Sequence, residues 1–354
     1  MTTRVIAEAG VNHNGDPELA LRLVDAAAEA GADVIKFQTF TPSELVTTDA
    51  PKARYQRINT GSDGSQLEML ERLKLDHPTH HLLLARCRER GVAFLSTPFD
   101  RPSLDFLVGE LGLTTLKAPS GELTNSPLLL HMARSGADII LSTGMANLAE
   151  VEEALGVLAF GYLGGTKPGR SAFAEALASS EGRDVLAAKV SLLHCTTEYP
   201  TPPADVNLRA MATLRDTFGL PVGLSDHTEG WAVALAAVAL GAAVIEKHLT
   251  LDRTLPGPDH RASAEPAELA AMIVGIRVVE QSLGHGHKEA APSERANMAI
   301  ARKSLVAVAP IAAGEVFSEA NLGAKRPGTG LSPTLYWDML GKVATRDFSP
   351  GQLI

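Results

Sequence analysis

Aromatic side chains are scarce in this sequence, at 5% of 354 residues, and cysteine is scarcer, with only Cys87 and Cys195. Two thiols make no disulfide framework, so a packed core has to hold the chain, and a reducing cytoplasmic setting is expected. Basic residues are outnumbered: 32 Lys and Arg against 41 Asp and Glu leave a formal charge of -9. Such a chain is not expected to bind the polyanionic backbone of nucleic acid. A small anion is a different matter, because a few lysines make a local site. An uninterrupted run of about 18 apolar residues, the mark of a membrane span, is also missing. The stretch WAVALAAVALGAAVIE is broken at Gly241 and reads as helix, turn, strand. MTTRVIAEAG reaches a strand pattern within a few residues, so no secretory leader is expected.

What is present is a 45% hydrophobic chain with mean hydropathy near zero, rich in Ala, Leu and Val. That composition suits helices packed on a parallel sheet. Short β-rich runs fall at 4–9, 33–38, 92–97, 114–118, 138–143, 189–195, 221–225 and 242–248. Amphipathic stretches such as PELALRLVDAAAEAGA and SPLLLHMARSGA lie between them, several ending at Gly, a helix C-cap signal. Eight strand–helix units over about 280 residues predict a (β/α)₈ TIM barrel; a doubly wound open sheet is the alternative. Two excursions break the rhythm. Residues 39–78 form a long polar segment after the second strand, the kind that serves function or forms a lid. Residues 161–189 read as a peripheral insertion. The repeat stops near Gly284. We expect a catalytic barrel over 1–283, a linker over 284–296 and a small β-rich domain over 297–354. His285 and His287 in the linker are read as solvated side chains rather than a metal tract.

Barrel chemistry gathers at the C-terminal ends of the strands. Here those ends carry Glu8, Lys36 and Gln38, Ser96 and Thr97, Lys117 and Ser120, Ser142 and Thr143, His194 through Thr197, Ser225 with His227, and Glu246 with His248. Two lysines among apolar strand residues need an anion to offset their desolvation. Either Glu8 or Glu246 supplies it, or a phosphate or carboxylate substrate does. APSGELTNSP favours the second option, because Ser120 and Gly121 are read as opening a helix whose N–H groups welcome anions. LSTGMAN repeats the arrangement. His227 and His248 close adjacent strands, so two neutral imidazoles reach one point. Two nitrogens with further positions open suit a divalent ion, Mn²⁺ in preference to Mg²⁺, more than structural zinc.

With these residues placed, the sequence resembles the sialic acid synthase family. The resemblance runs through IAEAGVNHNGD, IKFQTF, FLSTPFD, KAPSGELTNSPL, ILSTGMA, LLHCTTEYPTP, VGLSDHT, IEKHLTLDRTLPGPDH and KRPGTG. It implies that the last domain is antifreeze-like (SAF). It implies an enzyme, a metal-dependent transferase that condenses phosphoenolpyruvate with an N-acylated mannosamine-type sugar and releases phosphate. The expected product is N-acetylneuraminate made from N-acetylmannosamine; the alternative is N,N'-diacetyllegionaminate made from a 2,4-diacetamido-6-deoxy sugar. By resemblance, Lys36, Thr97, Lys117, Ser120, Thr197 and Ser225 hold phosphoenolpyruvate. Glu8, Gln38, Tyr199, Asp259 and Arg326 contact the sugar, and His227 and His248 bind the metal. Glu8, Lys36 and Lys117 are the expected catalytic groups, with Glu8 ionised beside Lys36 and acting as base or water-orienting group. Some family members have Asn at the position of Thr197, others Thr. The resemblance also implies a domain-swapped homodimer in which Arg326 serves the partner's barrel.

Overall fold

The computed structural model describes residues 2–61 and 64–354. They fall into two compact units, Met1–Gly284 and His285–Ile354. In the first, eight strands are all parallel: β1 (Arg4–Gly10), β2 (Val34–Thr39), β3 (Ala93–Pro98), β4 (Thr115–Ala118), β5 (Asp138–Ser142), β6 (Val190–Cys195), β7 (Val222–Asp226) and β8 (Val244–His248). Each starts and ends within two residues of its predicted range. The ladder order is β3-β2-β1-β8-β7-β6-β5-β4. β3 and β4 lie in contact at the two ends of that order, which brings the sheet round into a nearly closed TIM-type barrel.

The helices that coat the barrel show why the pattern was readable. Pro17–Glu29 begins at Asp16, whose carboxylate accepts from the Glu18 N–H, with Pro17 in the first turn. Such a cap is worth about 1 kcal/mol. Ala20, Leu23, Val24 and Ala27, at helical spacing, are buried. They meet the outward-facing strand residues Val5, Ala7 and Ile35 in one large core. The inward-facing residues make a separate cluster of Ile6, Val34, Leu95, Ile140, Leu193 and Val244. Strand side chains alternate with period two. Two residues further along, the same strands therefore turn Glu8, Lys36, Thr97, Ser142, Cys195 and Glu246 to the barrel axis. An apolar plug fills the barrel, and a polar layer sits on top of it.

Segment 39–78 folds into helices Pro42–Leu45, Arg54–Thr60 and Gln66–Leu73. Met69, Leu70 and Leu73 are buried with Val11 and Phe40. Insertion 161–189 supplies helices Arg170–Ala178 and Ser180–Lys189, packed against helix Leu148–Tyr162, with Phe160 and Phe173 edge to face.

The second unit corrects part of the sequence reading. Helix Pro292–Ala301 occupies the end of the expected linker and the first residues beyond it. Pro at the start and Glu294 bonded back to the Ala291 N–H start it, a local signal masked by the charged, turn-rich composition. Regular strands are limited to β9 (Ser304–Ala307) and β10 (Leu322–Lys325), which pair antiparallel. Isolated bridges such as Ile311 to Phe348 complete a small core of Leu305, Ala307, Ile311, Phe317, Leu322, Ala344 and Phe348.

Candidate active site

A cavity of about 280 Å³ opens above the polar layer. Parallel register puts its charges side by side, Glu8 level with Lys36 on β2 and with His248 on β8, and Ser225 level with Glu246. The Lys36 Nζ lies 2.7 Å from Glu8 and 3.7 Å from Glu246, and donates to Thr97 Oγ1 at 3.3 Å. The Gln38 amide donates to Glu8 Oε1 at 3.3 Å. Ser225 Oγ donates to Glu246 Oε1 at 3.0 Å and lies 3.2 Å from His227 Nε2.

The two lysines separate in character. Lys36 has its anions inside the protein; burial alone would lower its pKa, but Glu246 and Glu8 outweigh it and raise it. Lys117 is buried and donates to Ser142 Oγ at 2.6 Å and to the Ala118 carbonyl at 3.2 Å. Among the described residues no carboxylate stands within salt-bridge distance of it, and burial lowers its pKa. An arriving anion would therefore gain most at Lys117. The carboxylates separate too. Burial pushes Glu8 up to about 7, against the pull of Lys36, while the nearby Glu246 charge adds to the rise. Glu246 is also pushed up by burial, but Lys117 and Lys36 outweigh that and hold it down. The expectation that Lys36 keeps Glu8 ionised is corrected: Glu8 sits near its titration point at neutral pH, because desolvation wins.

Beside Lys117, Ser120 Oγ accepts from the Gly144 N–H at 3.0 Å and meets Cys195 Sγ at 3.0 Å. Thr197 Oγ1 is shielded from solvent without a hydrogen-bond partner. A Cβ on Gly144 would come within 2.6 Å of Thr197 Oγ1, 2.7 Å of Ser120 Oγ and 2.8 Å of Cys195 Sγ, so only glycine lets this loop close in. The helix-start reading of these loops is corrected. Ser120–Glu122 is one 3₁₀ turn, and the neighbouring helices start later, at Ser126 and Leu148, each capped by Asn. Any anion held here meets side chains and a glycine loop rather than a helix terminus.

His227 and His248 come together with ring centroids 5.4 Å apart. The Thr196 carbonyl accepts from His227 Nδ1 at 2.7 Å, which leaves Nε2 as the free lone pair. His248 Nδ1 is buried with no partner. Burial lowers both pKa values, so both rings are neutral at pH 7. Two neutral imidazoles, one with an orphaned nitrogen, fit a divalent ion. Among the described residues no third His, Cys, Asp or Glu joins them in a metal-holding group. Tyr199 packs on His227 at 4.2 Å. Asp259 lines the same cavity, with burial raising its pKa to about 6.

The barrel thus brings together every expected site residue it carries. Four of the polar strand-end residues turn away: His194 bonds the Val206 carbonyl, Thr143 the Leu193 carbonyl and Thr196 the Asp205 carbonyl, and Ser96 pairs with Thr39. Arg326 belongs to the second unit, where it is exposed and donates to the Ala301 carbonyl. His285 and His287 are exposed, with rings 5.3 Å apart. Several cavity residues had no expected role. Ser142 had a signal, the period-two spacing from Ile140. Tyr55, Gln56 and Gln66, in segment 39–78, had none.

A (β/α)₈ barrel whose mouth carries an unpaired lysine, a carboxylate near neutrality and two neutral histidines defines a barrel enzyme of anionic small molecules. The chain belongs to the NeuB family, which matches residues 23–288, and residues 302–354 match the SAF domain. It is 49% identical to the N,N'-diacetyllegionaminic acid synthase of Campylobacter jejuni over 352 residues, 99% of this chain and 98% of that one. It is 43% identical to the enzyme of the same name from Legionella pneumophila over 99% of this chain and 93% of that one. Among solved structures it is similar to the N-acetylneuraminic acid (sialic acid) synthetase of Leptospira borgpetersenii crystallised with citrate, with TM-score 0.68 and 34% identity over 84% of this chain and 90% of that one.

Proposed function

We propose that this chain condenses phosphoenolpyruvate with a 2,4-diacetamido-6-deoxy-mannose sugar, releasing phosphate and forming N,N'-diacetyllegionaminate. The observation that carries the choice of sugar is the higher identity to the two diacetyllegionaminic acid synthases, 49% and 43%, than to the sialic acid synthetase, 34%. N-acetylneuraminate synthesis, the first expectation from sequence, becomes the second reading. The site supports the reaction class in either case.

Lys117 receives the phosphoenolpyruvate anion, with Lys36, Thr97, Ser120, Thr197 and Ser225 around it. Gln38, Tyr199 and Asp259 orient the open-chain sugar so that its aldehyde carbon meets C3 of phosphoenolpyruvate. A carbon–carbon bond forms there, positive charge develops at C2, and water adds at C2. The former aldehyde oxygen takes the carbonyl electron pair as the carbon–carbon bond forms. Glu8 takes one proton of the water and delivers it to that oxygen, and the C2 hydroxyl gives up its own proton to the departing phosphate as the tetrahedral centre collapses to the 2-keto acid. A divalent ion held by His227 and His248, Mn²⁺ or Mg²⁺, would supply Lewis-acid polarisation of the sugar carbonyl. The test is phosphate release from phosphoenolpyruvate with a panel of sugars, with and without chelator. Faster turnover of N-acetylmannosamine than of the diacetamido sugar overturns the choice of sugar. Full activity after chelation, with no ion added back, removes the metal.

The resemblance to the sialic acid synthases carries the further reading that Arg326 completes the sugar site of a second subunit in a closed, swapped homodimer. Mixing Lys117→Ala chains with Arg326→Ala chains, each inactive alone, restores one intact site per heterodimer if Arg326 acts in trans. An exchanged mixture as inactive as its parents excludes it.

A further inference from the structure

The cavity residues given roles so far stand at the strand ends and on the loops that follow strands other than β2, whereas segment 39–78 contributes a further wall of the cavity. That wall is largely apolar: Leu45, Val46, Met69, Leu70 and Leu73 line the cavity together with Tyr55, with the amides of Gln56 and Gln66 beside them. It is also held in place. Met69, Leu70 and Leu73 are buried with Val11 and Phe40, and Leu45 and Val46 pack against them. The Asn59 amide donates to the Pro258 carbonyl at 2.6 Å, tying helix Arg54–Thr60 to the loop that carries Asp259. The Tyr55 ring lies 4.9 Å from that of Tyr199, which in turn packs on His227. The apolar wall therefore runs directly into the residues proposed to hold the sugar.

Five aliphatic or thioether side chains are a poor lining for a polyhydroxylated tail. A hydroxyl set against them loses water and gains no partner. A methyl group in the same place gains from burial. The two sugars considered above differ in this respect. N-acetylmannosamine carries hydroxyls at C4 and C6, whereas the diacetamido-6-deoxy sugar carries an acetamido group at C4 and a methyl at C6.

We infer that segment 39–78 is the specificity-determining wall of the sugar site, a subsite for the C6 methyl and the C4 acetamido methyl. The inference rests on the sugar proposed above and adds the residues that select it. Two measurements test it. The first needs no variant: the unmodified enzyme, saturated with phosphoenolpyruvate, is compared on N-acetylmannosamine and its 6-deoxy analogue. Burying one methyl in place of a hydroxymethyl is expected to raise kcat/KM about tenfold. Equal or lower kcat/KM for the 6-deoxy sugar overturns the subsite. The second uses the near-isosteric Val46→Thr and Met69→Gln. Each is expected to lower the kcat/KM ratio of diacetamido sugar to N-acetylmannosamine about tenfold per folded molecule, with KM for phosphoenolpyruvate held. Tm should hold for the half-buried Val46→Thr and fall for Met69→Gln, which puts an amide into a buried apolar cluster. An equal loss for both sugars, or an unmoved ratio, means that the segment only covers the site. The two readings fail differently. If the unmodified enzyme prefers the diacetamido sugar and the variants leave the ratio unmoved, only the wall is wrong. If the unmodified enzyme prefers N-acetylmannosamine, the proposed function falls, and the wall falls with it.

Discussion

Two sets of buried charges sit on opposite faces of the same strands, and they are built differently. On the outer face, Lys247 of β8 and Asp226 of β7 pair at 2.9 Å, both almost fully buried. Every charge there has a use: Lys247 also donates to the Thr228 carbonyl, and Asp226 accepts from the Thr228 N–H and hydroxyl. One residue along, on the inner face, Glu246 Oε2 and His248 Nδ1 have no hydrogen-bond partner, and across the barrel Lys117 has no carboxylate beside it. Closed networks of this kind hold a fold together. Open ones cost free energy in the empty protein, and a ligand of complementary charge recovers that cost.

The comparison is most easily broken at the outer pair. Lys247→Met strands the Asp226 carboxylate in the core, which costs about 3–5 kcal/mol. Thermal melts should show a large fall in Tm, while kcat per folded molecule holds. A fall in kcat with Tm unchanged would reverse the roles assigned to the two faces. On the inner face the expectation inverts. Lys117→Ala should lower kcat/KM for phosphoenolpyruvate by about 10²–10³-fold, the usual scale for losing one preorganised charge contact. Sugar KM should move little, and Tm should hold or rise, because an unpaired buried ammonium has been removed. An effect confined to the sugar would contradict the placement of the anion.

Gly144→Ala probes the same face without touching a charge. Its methyl would push on Thr197, Ser120 and Cys195 together. Displacements of this size should weaken phosphoenolpyruvate use about tenfold or more, read from kcat/KM at saturating sugar. Unchanged kinetics would mean that the loop is not part of the anion site.

The smallest expected effect is on pH dependence. Burial raises Glu8 from 4.5 to about 7, so the ionised form accumulates only as pH climbs through 7. If Glu8 takes the proton from water, kcat should rise with pH through that value and stand about tenfold below its plateau one unit lower. Glu8→Gln should lower the plateau and abolish the limb. A limb that survives the substitution belongs to another group. The raised pKa also carries a stability sign: the folded state holds its proton more tightly than the unfolded chain, so this group's contribution falls as pH rises from about 4.5 to 7.

Most of the barrel was legible in the sequence because its signals are local. Period-two alternation in RVIAEA and VIKFQ, Asp16 and Asn125 ahead of helices, and glycines after them are written within a few residues of each element they control. The polar layer was legible for the same reason, since strand phase decides which side chains face the axis. Helix Pro292–Ala301 escaped because its charged sequence reads as solvated loop, although Glu294 closes a capping contact. Segment 39–78 was legible only as an excursion. Its helices bury Met69, Leu70 and Leu73 against Val11 and Phe40, a contact between distant parts of the chain that no local pattern announces.

The sequence by itself determined which residue types stand at the strand ends, and so the charges available to a site. Tertiary structure decided how those charges act. Lys36 and Lys117 look alike in sequence, yet one lies between two carboxylates and the other faces a serine. Glu8 and Glu246 end neighbouring strands, yet desolvation leaves one near neutrality while two lysines hold the other ionised. The reason is physical. Burial and Coulomb terms depend on distances across the barrel, and strand closure sets those distances only after the whole chain has folded.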